Sequence, residues 1–173
     1  LDANKILERL TPSTKLIIIN SPNNPSGAIY DKNELMKLAK GAAARGVYIL
    51  SDEVYETITF NDKQHYSMAS DSSVFDYIIS AYSFSKTHAM TGWRIGYAAG
   101  DAKLLKTMRM IQSQSTSSPC SISQAAAIEA LSGTQDFIKT NAETFEKRRN
   151  MVVKMLNDID GISCNTPNGA FYV

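Results

Sequence analysis

Short apolar runs set the rhythm of the first half of the chain. Leu16-Ile17-Ile18-Ile19 is rich in β-branched residues and too short for a helix, so it reads as a strand buried on both faces. Val47-Tyr48-Ile49-Leu50 and Tyr77 to Tyr82 repeat the pattern. Between the first two runs lies Asn20-Ser21-Pro22-Asn23-Asn24-Pro25-Ser26-Gly27, dense in turn formers. A helical period follows through Leu35, Leu38, Ala39 and Ala42. Asp31 with Glu34 three residues later has the form of a capping box, and Gly46 suits a helix C-terminus. Strand, helix and strand at this spacing make a βαβ unit with parallel strands.

Residues 57 to 73 are polar and irregular in pattern. A strand is expected near Ile95 to Ala98, then a helix capped by Asp101 and reaching about Gln114. Ser115 to Pro119 breaks the pattern, and Ser121 to Leu131 is an alanine-rich helix stopped by Gly133. A longer helix from about Thr134 to Asn157 carries Phe137, Ile138, Phe145, Val152, Met155 and Leu156. Ile162 to Cys164 and Gly169 to Val173 read as strands of something new. The chain starts at Leu1, inside what reads as a helix whose Ile6, Leu7 and Leu10 share a face, and stops in what reads as a strand. A strand needs neighbours, so a piece of a longer protein is expected.

Composition narrows the classes. With 43% hydrophobic residues in 173, a sizeable core is available. Eighteen basic and 17 acidic residues leave a net charge of +1, which offers no electrostatic reason to expect nucleic acid or an anionic membrane as partner. No apolar run approaches the roughly 20 residues of a membrane span. Cys120 and Cys164 have no metal-ligand spacing, no metal is expected, and a reducing cytoplasm is the default location.

The chemistry-bearing residues cluster just past strand ends. Ser83-Phe84-Ser85-Lys86 follows the third apolar run, with Arg94 eight residues beyond the lysine in Thr91-Gly92-Trp93-Arg94-Ile95-Gly96. The lysine can form a Schiff base with an aldehyde while the hydroxyls and the arginine hold a phosphate. An aldehyde carrying a phosphate suggests pyridoxal phosphate. Asn24 follows the first strand, and Asp52 and Tyr55 follow the second. In an open parallel sheet the carboxyl ends of the strands face one crevice, so the three clusters can converge there. Each also has a bland reading: a plain turn at Asn23 to Gly27, a helix N-cap at Ser51 or Asp52, a core aromatic at Tyr55, a surface charge at Arg94. Trp93 reads as packing, and His88 is assigned no role.

Together these motifs resemble those of the pyridoxal phosphate-dependent aminotransferases of fold type I, the aspartate aminotransferase-like class I/II family. Asn23-Asn24-Pro25-Ser26-Gly27 matches N-N-P-[ST]-G, and Ser51-Asp52-Glu53-Val54-Tyr55 contains D-E-x-Y. Ser83 to Lys86 and Thr91 to Gly96 match S-F-S-K and T-G-W-R-I-G. Gln112 to Ser117 and Pro167 to Tyr172 also look like the bacterial aspartate aminotransferase branch. The resemblance implies that Lys86 holds pyridoxal 5'-phosphate as an internal aldimine and later moves a proton. It implies that Asp52 pairs with the pyridine nitrogen, that Asn24 and Tyr55 donate to the phenolate oxygen, and that Ser83 and Arg94, with Ser85 a lesser candidate, hold the phosphate. Lys86, Asp52 and Tyr55 would be catalytic.

The same resemblance implies an α/β fold: a mostly parallel sheet of the large domain, in part, leading into a small α+β domain. Residues 1–133 would be the second part of the large domain, 134–157 a connecting helix and 158–173 the truncated start of the small domain. The implied activity is transfer of an amino group between an L-amino acid, aspartate first, and a 2-oxo acid, 2-oxoglutarate, in a homodimer. Aromatic amino acids, alanine or prephenate are the other substrates in view. A lyase on the same fold would use the same cofactor residues. So would a cofactor-sensing domain of a transcription regulator, which requires an upstream helix-turn-helix. No match is present for the family's N-terminal phosphate loop and ring-stacking aromatic, or for its C-terminal substrate arginine, and the 173 residues alone are expected to be inactive.

Overall fold

The computed structural model describes residues 1–173. Its centre is a four-stranded sheet in the order β1 (Leu16–Asn20), β2 (Tyr48–Asp52), β3 (Ile78–Ser83) and β4 (Gly96–Gly100). β1, β2 and β3 are parallel, in a register that sets Asn20 beside Asp52 and Asp52 beside Ala81. β4 returns antiparallel and pairs Gly96 with Ser83. The fold is therefore α/β with a mostly parallel sheet, as the sequence pattern implied.

Helix α1 (Ala3–Glu8) opens the chain with Asp2 as its N-cap, so Leu10 lies beyond the helix. Helix α2 (Lys32–Ala43) lies between β1 and β2 and buries the expected stripe, Leu35, Leu38, Ala39 and Ala42, on the sheet. Leu35 and Leu38 are fully shielded, and each such side chain contributes about 2 kcal/mol of burial free energy. Asp31 caps α2 by accepting from the Asn33 and Glu34 amides. Glu34 does not reach back to complete the capping box. Its carboxylate instead accepts from the Ala3 amide at 2.7 Å and ties α1 to α2. Gly46 follows α2 at φ +66°, a left-handed conformation that glycine adopts without steric cost.

β1 is not buried on both faces. It is an edge strand, and Ile18 is 66% exposed while Ile19 is buried. The polar stretch from 57 to 73 is irregular apart from a short 3-10 turn at Met68–Ser70. Beyond β3, a one-turn helix α3 (Phe84–Thr87) carries the lysine, and a 3-10 turn at Thr91–Trp93 leads into β4. Trp93 does not pack inward: it is 45% exposed. Helices α4 (Ala102–Ser113), α5 (Ser121–Ser132) and α6 (Asp136–Asn157) complete the chain, with Asp101 capping α4 and Gly133 ending α5.

The two late strands are not formed. Residues 162–164 carry no strand, and the 169–173 stretch makes a single bridge, Thr59 to Gly169. Ala170 adopts φ +56°, which breaks the extended run. This last stretch instead lies over the irregular segment after β2. Tyr55, Ile58, Phe60 and Ala170 form a small core there, with Phe145 of α6, Phe171 and Tyr172 packed against it.

Candidate functional site

The carboxyl ends of β1, β2 and β3 bring the three polar clusters together. The turn after β1 is tied to β2 by the Asn20 side chain and the Ser21 amide, both donating to the Asp52 carbonyl at 3.2 Å. Asn20 Oδ1 in turn accepts from the Asn24 amide at 2.7 Å, which locates Asn24 at the mouth of β2. The peptide bonds Ser21-Pro22 and Asn24-Pro25 are both cis. Asn23 closes the turn by accepting from the Ser26 amide and hydroxyl.

Asp52 ends β2 with its carboxylate half-buried, and its only hydrogen bond is a long one from the Val54 amide. No cation pairs with it. Burial, with the Glu53 charge adding to it, raises the Asp52 carboxyl above the ordinary aspartate range. Tyr55 sits one turn on, 5% exposed, with its hydroxyl 2.6 Å from the Tyr172 hydroxyl. Burial first, then Tyr172, pushes the Tyr55 phenol up, while the neighbouring Asn24 amide works in the opposite direction. The Asp52 charge also acts on Tyr55, so Asn24, Asp52 and Tyr55 share one locality.

Lys86 projects from α3 into the same place. Its Nζ lies 6.0 Å from the centre of the Tyr55 ring and 5.1 Å from that of Phe171. It forms no ion pair, so the amine faces aromatic surfaces with nothing neutralising it. Thr57 and Thr87 join the loop after β2 to α3 through hydroxyls 3.0 Å apart. Ser83 caps α3 by accepting from the Ser85 amide. Arg94 stands at φ +49°, ψ +51°, a left-handed conformation unusual for arginine. Its guanidinium donates to the Thr91 carbonyl at 2.9 Å and is otherwise exposed. The structure thus gathers Asn24, Asp52, Tyr55 and Lys86. Ser83, Ser85 and Arg94 lie on the lysine loop beside them, without direct bonds to the four.

Two residues were not anticipated as part of this locality, Phe171 and Tyr172. Their sequence signal was the turn Pro167-Asn168-Gly169 just before an aromatic pair. Gly27 makes room for it: a Cβ there would lie 2.3 Å from that of Pro167. The Gly27 carbonyl accepts from the amides of Asn168 and Gly169. Arg149, buried in α6, donates to the Pro167 carbonyl and to Asn61.

The model of the family described as aminotransferase class I and II matches residues 1–173. The chain belongs to that family. It is 49% identical over 166 residues to the aspartate/prephenate aminotransferase of Cereibacter sphaeroides, covering 95% of this chain and 42% of that protein. Its fold matches the crystal structure of the aspartate aminotransferase from Rhizobium meliloti with a TM-score of 0.93 and 42% identity, over 98% of this chain and 43% of that one. The aspartate aminotransferase from Thermus thermophilus with maleate matches at a TM-score of 0.92 and 36% identity, over 98% and 44%. The chain thus spans less than half the length of these relatives.

Proposed function

We propose that the protein is a pyridoxal 5'-phosphate-dependent aminotransferase moving an amino group between an L-amino acid, aspartate first, and a 2-oxo acid such as 2-oxoglutarate. One observation carries this reading: an unpaired amine, an unpaired half-buried carboxylate and a phenol beside an amide meet at the carboxyl ends of three parallel strands. The donor set fits the cofactor. Asp52 lacks a counter-charge, and a protonated pyridine nitrogen is one. Lys86 Nζ is uncommitted, and the exposed Arg94 has donors left for a phosphate.

When bound, the cofactor supplies an electron sink for the charge left as the substrate α-carbon loses its proton. Asp52 holds a proton on the ring nitrogen. Lys86 would hold the cofactor and, as a free amine, would move the proton at the α-carbon. Asn24 and Tyr55 donate to the ring's phenolic oxygen. Ser83 and Arg94 would hold the phosphate, with Ser85 a lesser candidate beside them.

The names of the relatives support aspartate, and the maleate that accompanies the Thermus thermophilus enzyme is a dicarboxylate like aspartate and 2-oxoglutarate. The division at 133/134 and 157/158, with α6 as connector, belongs to the same proposal. So does a homodimer, supported by the uncovered Ile111, Ile122, Ile128 and Leu131 on α4 and α5. A cytoplasmic location is proposed as well; no helix is long and apolar enough to cross a membrane.

Borohydride reduction after incubation with pyridoxal phosphate, read by peptide mass, tests the site on the protein with its native flanking sequence. A single adduct on Lys86 is expected, and its absence overturns the reading. Product analysis tests the reaction: glutamate and an oxo acid are expected from aspartate and 2-oxoglutarate, whereas pyruvate and ammonia would make the protein a lyase.

A further inference from the structure

We infer that Tyr172 is a positioning residue of the cofactor site, fixing the direction in which Tyr55 donates its proton. The inference rests on the proposed cofactor role of Tyr55. The two hydroxyl oxygens lie 2.6 Å apart, short for an O–H···O bond, with the rings edge to face at 5.7 Å. A phenol has one proton to donate. Were Tyr55 to donate to Tyr172, nothing would remain for the cofactor's phenolic oxygen. The pair therefore works in one sense: Tyr172 donates to Tyr55, and Tyr55 turns its own proton outward toward the site. Donors in series polarise one another, so the same bond strengthens Tyr55 as a donor. Burial also keeps the Tyr55 phenol protonated, which a donor requires.

Tyr172 is held in place for this by contacts far from the site chemistry. Asn168 and Gly169 donate to Gly27, Phe60 donates to Asn168, and Ala170 donates to Ile58, at 2.8 to 3.1 Å. Gly169 passes so close to Pro22 and the Ile58 carbonyl that a Cβ would lie 2.9 and 3.0 Å from them. Arg149 fixes the start of the segment through Pro167. The neighbouring Phe171 packs against Tyr55 at 5.3 Å and over Lys86 Nζ at 5.1 Å. The segment from 167 to 172 is thus a strap laid from α6 across the Asn23–Gly27 turn to the lysine.

Tyr172→Phe keeps the ring and removes the hydroxyl. The test loads the protein, with its native flanking sequence, with pyridoxal phosphate and follows the pH midpoint of the visible absorption band. With Tyr55 undirected, the cofactor's phenolic oxygen keeps more negative charge and holds the proton it shares with the lysine nitrogen more tightly. The midpoint is expected to rise by about half a unit to one unit. In a Tyr55→Phe background the same substitution is expected to add no shift, because its effect passes through Tyr55. An unchanged midpoint, or a shift that persists without Tyr55, overturns the inference. So does failure of Tyr172→Phe to form the Lys86 adduct, which would make the residue structural. If the unsubstituted protein itself shows neither band nor adduct, the cofactor reading fails, a result distinct from an unmoved midpoint.

Discussion

The Glu53 carboxylate lies 2.9 Å from His65 Nε2 and is wholly shielded from solvent. Ser67, Ser80 and Tyr82 each donate a hydroxyl to the same carboxylate, at 2.9 to 3.1 Å. One buried anion therefore joins the end of β2, two positions of β3 and the irregular segment beyond residue 57. It does so at the residue next to Asp52. Glu53→Ala leaves four polar groups without their acceptor and is expected to cost about 3 kcal/mol or more. Glu53→Gln keeps one acceptor oxygen and is expected to cost less. Urea unfolding of the two variants checks this, and an unmoved midpoint for Glu53→Ala would show that the hub contributes nothing.

The same hub sets an acid limit. Burial alone would raise the Glu53 carboxyl, but His65, followed by the serine hydroxyls, outweighs it and holds the group below the ordinary glutamate value of about 4.3. A carboxyl lowered on folding contributes stability that is complete above its unfolded value and is lost as pH falls through the folded one. Unfolding free energy is therefore expected to fall as pH drops below about 4.3, with a shallower fall in Glu53→Gln. Parallel acid titrations of the two proteins by circular dichroism would decide. Equal slopes would remove Glu53 from the account.

Gly27 and Gly46 both have φ near +65°, yet substitutions there should differ. At Gly46 nothing lies within 4 Å of an added Cβ, so Gly46→Ala meets only backbone strain, about 1 kcal/mol. At Gly27 an added Cβ would also strike Pro167 at 2.3 Å and the Gly169 carbonyl at 2.8 Å. Gly27→Ala is therefore expected to cost about 2 kcal/mol more, and to lift the strap that carries Tyr172. Thermal unfolding of both variants, with proteolysis near residue 167 as a second reading, separates strain from collision.

Several features could be read from the sequence because they are local. Leu35, Leu38, Ala39 and Ala42 repeat at the helical period and are buried on one face. Asn24, Asp52 and Lys86 each lie shortly after an apolar run, so the parallel sheet alone brings them to one end. Apolar runs do not record how many faces a sheet covers, which is why Ile18 was expected to be buried and is not. The Glu34 bond to Ala3, the Glu53 hub and the Tyr55–Tyr172 pair join residues 31, 12 to 29 and 117 positions apart. Such contacts follow from packing, and no local pattern carries them. The stretch 169–173 reads as a strand, but a left-handed Ala170 and backbone bonds joining Ala170 to Ile58 and Asn168 to Phe60 turn it into the strap.

Lys86 and Asp52 can be told apart by what each loses. Lys86→Ala removes the amine that faces Tyr55 and Phe171, so the borohydride adduct is expected to vanish. Turnover should fall on the order of 10²- to 10⁴-fold or more, because the proton carrier goes with it. Asp52→Asn leaves that amine in place, so the adduct on Lys86 should form at near-normal yield. In the proposed role, what it removes is the negative charge that would keep a ring nitrogen protonated, and with it the stabilisation of charge developing in the transition state. Turnover is expected to fall on the order of 10²- to 10³-fold with cofactor still bound. The loss should appear in kcat with little change in KM, since the carboxylate acts on the ring and not on the substrate's own carboxyl groups. The electrostatics of the site point the same way: the half-buried Asp52 carboxyl sits above its ordinary range with no cation paired to it, and a ring cation is what would draw it back down. Absorbance titration and steady-state kinetics on the two variants check both expectations. Normal turnover in Asp52→Asn with the cofactor retained would remove Asp52 from the mechanism, and an adduct surviving in Lys86→Ala would assign the covalent link to another lysine.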